Sequence, residues 1–257
     1  MCSDAIRICV PLVLACAVAL HSCSIKEDRE ACPCWLTMQV PSQGDSQMIV
    51  NWVLAASDTV MEGVLNVVSG PSCTVEVPRE RIWLVAVSGS GGQFAGVQGL
   101  KVEEGKPFPA VYYYRSELDT RCDSLRDTIL LHKNHACVTI RDNNPYEIFT
   151  YYLCGNSCGF DFEGNVLEGP FRSRAEPNNG AYSCIVPRQG DDSLRLEVYL
   201  GNELTRSFPI GELIAQSGFD WTAEDLEDID LTLDYTDTQV TFTVNGWTHR
   251  LTFYYEF

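Results

Sequence analysis

The sequence of 257 residues is short of cations: 18 Lys and Arg stand against 35 Asp and Glu, a formal charge of −17. Nucleic acid and anionic lipid headgroups would both be repelled by such a chain, so neither is expected as a partner. Long apolar runs are missing too. After residue 20 nothing approaches the roughly 18 consecutive apolar residues of a membrane-crossing helix. Histidine is scarce, with His21, His132, His135 and His249 making up the 4. There is no G-x-S-x-G elbow and no H-E-x-x-H helix. Ser88-Gly89-Ser90-Gly91-Gly92 lacks the lysine and the helix of a phosphate-binding loop, and reads as a flexible loop. His132 and His135 are spaced to lie on opposite faces of a strand, which argues against a shared metal. The chain is expected not to be an enzyme and to carry no cofactor or metal.

What is present begins at the N-terminus. Arg7 is followed by an apolar run from Ile8 to Leu20, so residues 1–22 read as a secretory signal peptide. As a helix the run would rise only about 20 Å, against about 30 Å of hydrocarbon. It ends in Leu20-His21-Ser22-Cys23, which resembles the bacterial lipobox. That resemblance implies cleavage before Cys23 and a diacylglyceryl thioether on its sulfur. At about 0.8 kcal/mol per buried CH₂ one acyl chain binds marginally, whereas two or three hold lastingly. The alternative is an ordinary cleaved signal with Cys23 unmodified. Cys2, Cys9 and Cys16 are apolar filler of the signal, and losing Asp4 and Arg7 with it leaves the charge unchanged.

Cys32, Cys34, Cys73, Cys122, Cys137, Cys154, Cys158 and Cys184 form an even set for which an exported chain permits disulfides, with the pairing left open. A metal site from Cys32-Pro33-Cys34 with Cys154 and Cys158 is disfavoured, because neither spacing is the two-residue gap of zinc knuckles.

Residues 23–31 read as a charged tether. Alternation then begins with Cys32, Cys34, Leu36, Met38 and Val40 on one side, a half-buried strand stopped by Pro41. Short runs rich in Val, Ile and Tyr follow at Met48–Ala55, Val64–Val68, Cys73–Val77, Ile82–Val87, Val111–Tyr114, Thr128–Leu131 and Ala136–Ile140. Arg141-Asp142-Asn143-Asn144-Pro145 is a polar break. A second series covers Ile148–Cys154, Tyr182–Val186, Leu194–Leu200, Leu231–Tyr235, Val240–Val244 and Leu251–Phe257, with one short helix over Pro209–Ser217 closed by Gly218. An all-β chain of two tandem sandwiches is expected, at 32–143 and 144–257.

Several segments together resemble the FimB/Mfa2 family, the lipoprotein anchor subunits of Bacteroidales fimbriae. They are Cys23 to Arg29 with Cys32-Pro33-Cys34; Leu131-His132-Lys133-Asn134; Gly155-Asn156-Ser157-Cys158-Gly159-Phe160-Asp161; Pro187 to Leu194; and Gly211 to Trp247. The last holds Gly218-Phe219-Asp220-Trp221, Asp225-Leu226-Glu227-Asp228-Ile229, Asp234-Tyr235 and Val244-Asn245-Gly246-Trp247. The resemblance implies transthyretin-like sandwiches, lipid-anchored through Cys23 on the surface of the outer membrane, at the base of a pilus whose subunits exchange strands. The partner would be a shaft subunit that completes an open sheet edge. An anchor keeps its first strand, which shaft subunits lose. Lys26-Glu27-Asp28 is similar to the signal that sends such lipoproteins to the outer face.

At the far end Leu251, Phe253, Tyr255 and Phe257 alternate with Thr252, Tyr254 and Glu256, leaving both faces largely apolar or aromatic. An ordinary edge strand carries more charge, so these four residues are candidates for docking the shaft subunit, with plain core packing as the alternative. Glu224, Asp225, Glu227, Asp228, Asp230, Asp234 and Asp237 lack the order of a Ca²⁺ loop and read as solvated or turn-forming carboxylates. Trp83, Trp221 and Trp247 separate the pilus reading from its rival, a surface lipoprotein that binds glycan through exposed aromatics. Buried rings favour the first, and a coplanar exposed pair favours the second.

Overall fold

The computed structural model describes residues 32–41, 48–67, 72–91, 93–143, 149–235 and 239–252. The expected signal peptide, the expected tether and Cys23 lie outside the described residues. The chain is all-β, with one short α-helix, α1 (Ile210–Gln216).

Four sheets make two sandwiches. In the first, β4 (Ser72–Val77), β1 (Cys34–Gln39) and β8 (Ser124–Thr128) lie in that order, and face β3 (Val60–Asn66), β2 (Ile49–Ala55), β5 (Arg81–Ser88), β7 (Tyr112–Asp119) and β9 (His132–Lys133). In the second, one sheet runs β13 (Glu176–Asn178), β14 (Ala181–Pro187), β10 (His135–Asp142), β17 (Ile229–Tyr235), β18 (Gln239–Val244) and β19 (Trp247–Thr252). The other runs β12 (Val166–Arg174), β11 (Phe149–Phe160), β15 (Arg195–Leu200) and β16 (Glu203–Phe208), with β6 (Leu100–Lys101) joined to β11.

Period-two alternation explains the cores, because successive side chains of a strand point to opposite faces. Cys34, Leu36 and Met38 turn inward from β1 onto Leu54 of β2 and onto Ile82, Leu84 and Ala86 of β5. The second core gathers Val138 and Ile140, Tyr151 and Leu153, Leu196 and Val198, and Leu231 and Leu233. Strand β5 is buried on both faces, since Val85 and Val87 point away from the first core and join the second. Its near-continuous apolar run follows from being the wall that the two sandwiches share.

The expected first strand is present as an intact element. β1 pairs antiparallel with β4 and parallel with β8, and Cys34, Leu36 and Met38 are fully buried. The expected helix is also found, entered at Pro209 and followed by Gly218 at φ 86°. Strands β8, β12 and β16 escaped the sequence pattern. Each lies at the edge of its sheet, so its outer side needs no apolar residues, and β12 even holds Gly169-Pro170 in its interior. The run expected at Thr128–Leu131 is mostly the link between β8, which ends at Thr128, and β9, which begins at His132.

Strand pairing bears on the boundary between the sandwiches. β10 bonds to β14 and β17, so a first unit of 32–143 would carry off a central strand of the second. We propose the division at Asn134, between β9 and β10.

Candidate functional site

Where the chain leaves one sandwich for the other, backbone groups must find partners outside a regular ladder. Segments distant in sequence supply them here. Val111 O accepts from the Asn134 amide at 3.0 Å and from His135 Nδ1–H at 2.9 Å. The loop before β17 lies along β9, with the Leu226 amide donating to Lys133 O at 3.0 Å. Asp225 Oδ1 accepts from the Lys133 amide at 2.6 Å, and its Oδ2 sits 3.0 Å from His132 Nδ1. Asp228 Oδ1 accepts from the Cys137 amide at 2.8 Å and from Lys133 Nζ at 2.6 Å. Glu224 Oε1 lies 3.1 Å from His132 Nε2.

A third segment closes the arrangement. Arg188 Nε donates to Asn134 Oδ1 at 2.8 Å, and its Nη1 donates to Trp221 O. Arg115, His132, Asn134, Arg188 and Glu224 line a cleft of about 240 Å³ at this junction. Residues 131–134, 187–194 and 218–228, which carry the family resemblance, thus meet in one clasp. The Gly155–Asp161 segment is bound to the same loop: Asn156 Nδ2 donates to Asp191 Oδ2 at 2.7 Å, Ser193 Oγ to Asn156 Oδ1 at 2.7 Å, and the Gly190 amide to Ser157 Oγ at 3.1 Å. Val244-Asn245-Gly246-Trp247 is the β18–β19 hairpin turn. Asn245 and Gly246 take φ 47° and 83° there, the positive values that a two-residue hairpin demands.

The electrostatics follow from these contacts. Hydrogen bonds from the Lys133 amide and the His132 ring hold the Asp225 carboxyl below its usual pKa. Burial pushes Asp228 upward, but Lys133 and the Cys137 amide outweigh it and leave that carboxyl lowered as well. Burial lowers His135, its bond to Val111 O opposing only in part. In the folded protein His135 therefore binds a proton less readily than in the unfolded chain. Its contribution to stability is complete above the ordinary histidine value of about 6.5, and is lost as pH falls below that toward the folded pKa. The two carboxylates act with the same sign further down, contributing above about 4 and failing below it. The urea midpoint should be flat from about pH 8 to 6.5 and slope downward as pH falls below about 6.5. His135→Gln should flatten that slope and keep the fall below about pH 4. An unchanged slope in the variant would refute the assignment to His135.

The tryptophans are engaged. Trp83 is covered by Arg115, whose Cζ lies 3.9 Å from the ring centroid. Trp221 packs against the second core and against Phe219, with ring centroids 4.7 Å apart. Trp247 also packs on that core. All three rings are half-buried rather than exposed. Among the described residues no three His, Cys, Asp or Glu side chains group to hold a metal ion, and no helix is long and apolar enough to cross a membrane.

Of the residues singled out from sequence, Cys23, Phe253, Tyr255 and Phe257 lie outside the described residues. Leu251 falls in β19, opposite Val240. β19 is the last strand of its sheet, with β18 as its one neighbour among the described residues. The roles of Lys133, Asp228 and Arg188 at the junction carry no period or spacing that a single sequence displays; only their place in the family-like segments pointed to them.

No family model and no curated protein matches the sequence. Solved structures do match. A candidate polysaccharide-binding protein from Bacteroides thetaiotaomicron superposes with TM-score 0.64 at 12% identity, over 85% of this chain and 98% of that one. A candidate adhesin from Bacteroides ovatus gives 0.63 at 13%, over 89% and 97%. The fimbrial anchor protein Mfa2 from Porphyromonas gingivalis gives 0.63 at 12%, over 84% and 99%. Across nearly the whole of those chains, this protein has the fold of the Bacteroides adhesin-like proteins and of the fimbrial anchor Mfa2.

Proposed function

We propose that the protein is a non-catalytic outer-membrane lipoprotein, held at the cell surface by lipid on Cys23, that anchors a fimbria and takes part in its assembly. The observation that carries this reading is β1. It is paired on both sides and buried on its inner face, and it begins a short tether away from Cys23. A subunit that donated its first strand or had it cut away could not be held by that end. A subunit that keeps it transmits the lipid's grip to a folded body. The likeness to the anchor Mfa2 supports the same reading. The shaft subunit would join by adding a strand to an open edge, where unpaired N–H and C=O groups template one. The β19 edge, which includes Leu251, together with Phe253, Tyr255 and Phe257 that follow it in sequence, is the proposed dock.

Metabolic labelling with a lipid precursor, in wild type, Cys23→Ser and a deletion of residues 249–257, tests each part. Wild type should carry label and copurify with pilins. Cys23→Ser should lose label and release protein and fimbriae into the medium, and the deletion should keep label while shedding fimbriae. Anchoring without label would refute the lipid, and firmly attached fimbriae of normal length in the deletion would refute the dock.

A further inference from the structure

Cys34, the first residue of β1, is buried with its Sγ 3.9 Å from Cys122 Sγ, in the turn between β7 and β8. The two residues are 88 apart in sequence. Bonds on either side of the pair fix their approach. The Trp35 amide donates to Asp123 O at 3.0 Å. Arg79 donates from Nε to Cys32 O at 2.7 Å and from Nη2 to the Asp123 carboxylate. A disulfide needs its sulfurs about 2 Å apart, so the pair has only about 2 Å left to close.

We propose that Cys34 and Cys122 are joined by a native disulfide, and that this bond takes the tension arriving from the N-terminal side in place of the hydrogen bonds of β1. The proposal rests on the exported, N-terminally anchored reading above. Tension entering through residues 32 and 33 reaches Cys34 at the first rung of β1, where it lies opposite Val77 of β4, before it reaches the pairing of Trp35–Gln39 with β4 and β8. A crosslink at that residue carries the pull directly into the β7–β8 turn. Without it, β1 would be drawn from between its neighbours one hydrogen bond at a time.

The chemistry is a two-electron thiol–disulfide exchange with a disulfide-bearing oxidoreductase. Cys122, the more exposed thiol, loses its proton to water and attacks one sulfur of the oxidant; the oxidant's S–S bond breaks, and the departing sulfur takes up a proton. Burial pushes Cys34 up to about 11, with its contact to Cys122 adding to that, which keeps it a thiol until the mixed disulfide stands beside it. Cys34 Sγ then attacks Cys122 Sγ, its proton passing to water, and the second oxidant sulfur leaves and is protonated. Two thiols have become a disulfide, and the oxidant's disulfide has become two thiols.

Peptide mapping of the chain from cells whose thiols are alkylated at lysis should show a Cys34–Cys122 linked pair that reduction abolishes. Alkyl groups on both cysteines, or Cys122 joined to Cys32 or another partner, would overturn the proposal. Residues 23–257 held at the two ends and pulled should gain about 300 Å less length when oxidised than when reduced, because the 88 residues inside the crosslink, at roughly 3.4 Å each, cannot extend. Cys122→Ser should give the longer value under both conditions, and equal lengths in wild type would overturn the load path. Alkylated thiols on a chain that carries acyl mass at Cys23 would sink the crosslink and leave anchoring intact. A linked pair on a chain without acyl mass would keep the crosslink and sink both anchoring and the load path.

Discussion

Leu36→Asp should unfold the first sandwich or cost it roughly 4–5 kcal/mol, because it places a carboxylate without a partner in a closed apolar core. Leu36 is 0% exposed and packs in the core with Cys34, Met38, Leu54 and Leu84. Its backbone lies between Val75 of β4 and Leu125 of β8, so the side chain cannot turn to solvent unless β1 leaves the sheet. Trp35, one residue earlier, is 50% exposed, and Trp35→Thr should change stability by no more than about 0.5 kcal/mol. Urea unfolding of the two variants, with protease cleavage between residues 32 and 41 as a second readout, separates the cases. Native-like protection of this segment in Leu36→Asp would mean that β1 is not held by its inward face. On the proposed function, the same variant should leave lipid in the membrane while the folded body and its fimbriae are shed by proteolysis.

The second large effect lies where the sandwiches are sewn together. Gly159→Ala should cost roughly 3 kcal/mol or more and loosen one sandwich from the other. A Cβ on Gly159 would sit 1.9 Å from Leu100 O and 2.9 Å from Leu100 C, backbone atoms that cannot swing aside. β6 pairs with β11 at this point, Lys101 opposite Gly159 and Leu100 opposite Phe160, and the Val102 amide donates to Cys158 O at 2.9 Å. Expelling β6 would also expose Leu100 and Val102, both buried in the second core. Gly105→Ala is the comparison. Its φ is 85°, but a Cβ there meets nothing within 4 Å, so only backbone strain of about 1–2 kcal/mol is expected. The purified variants should show Gly159→Ala with the much lower midpoint, and with earlier proteolysis of residues 93–111. If the two alanine variants lose stability equally, backbone strain alone operates and the close approach of β6 to β11 is not what joins the sandwiches.

Much of this architecture could be read from period-two patterns. β1, β2, β5, β10, β15 and β17 were visible because each presents at least one continuous apolar face, and α1 was marked by Pro209 and Gly218 at its ends. Edge strands β8, β12 and β16 were not visible. Half of such a strand's surroundings are water, so residues such as Ser124, Arg126, Glu203 and Arg206 fit it as well as they fit a loop. The proposed division at Asn134 is hard to read from sequence for a related reason. Asn143-Asn144-Pro145 is a strong local break, whereas the passage from β9 to β10 at Asn134 is marked only by partners remote in sequence: Val111, Asp225, Asp228 and Arg188.

The signal-like N-terminus, the lipobox-like cysteine, the acidity and the all-β character belong to the sequence alone, since each depends on composition or on neighbours within a few residues. Which sheet claims β10, the two-faced burial of β5, the clasp of Asp225 and Asp228 on Lys133 and Cys137, and the meeting of Cys34 with Cys122 were decided by tertiary structure. Each of these joins groups separated by tens of residues, and only the closing of the cores sets the distances between them.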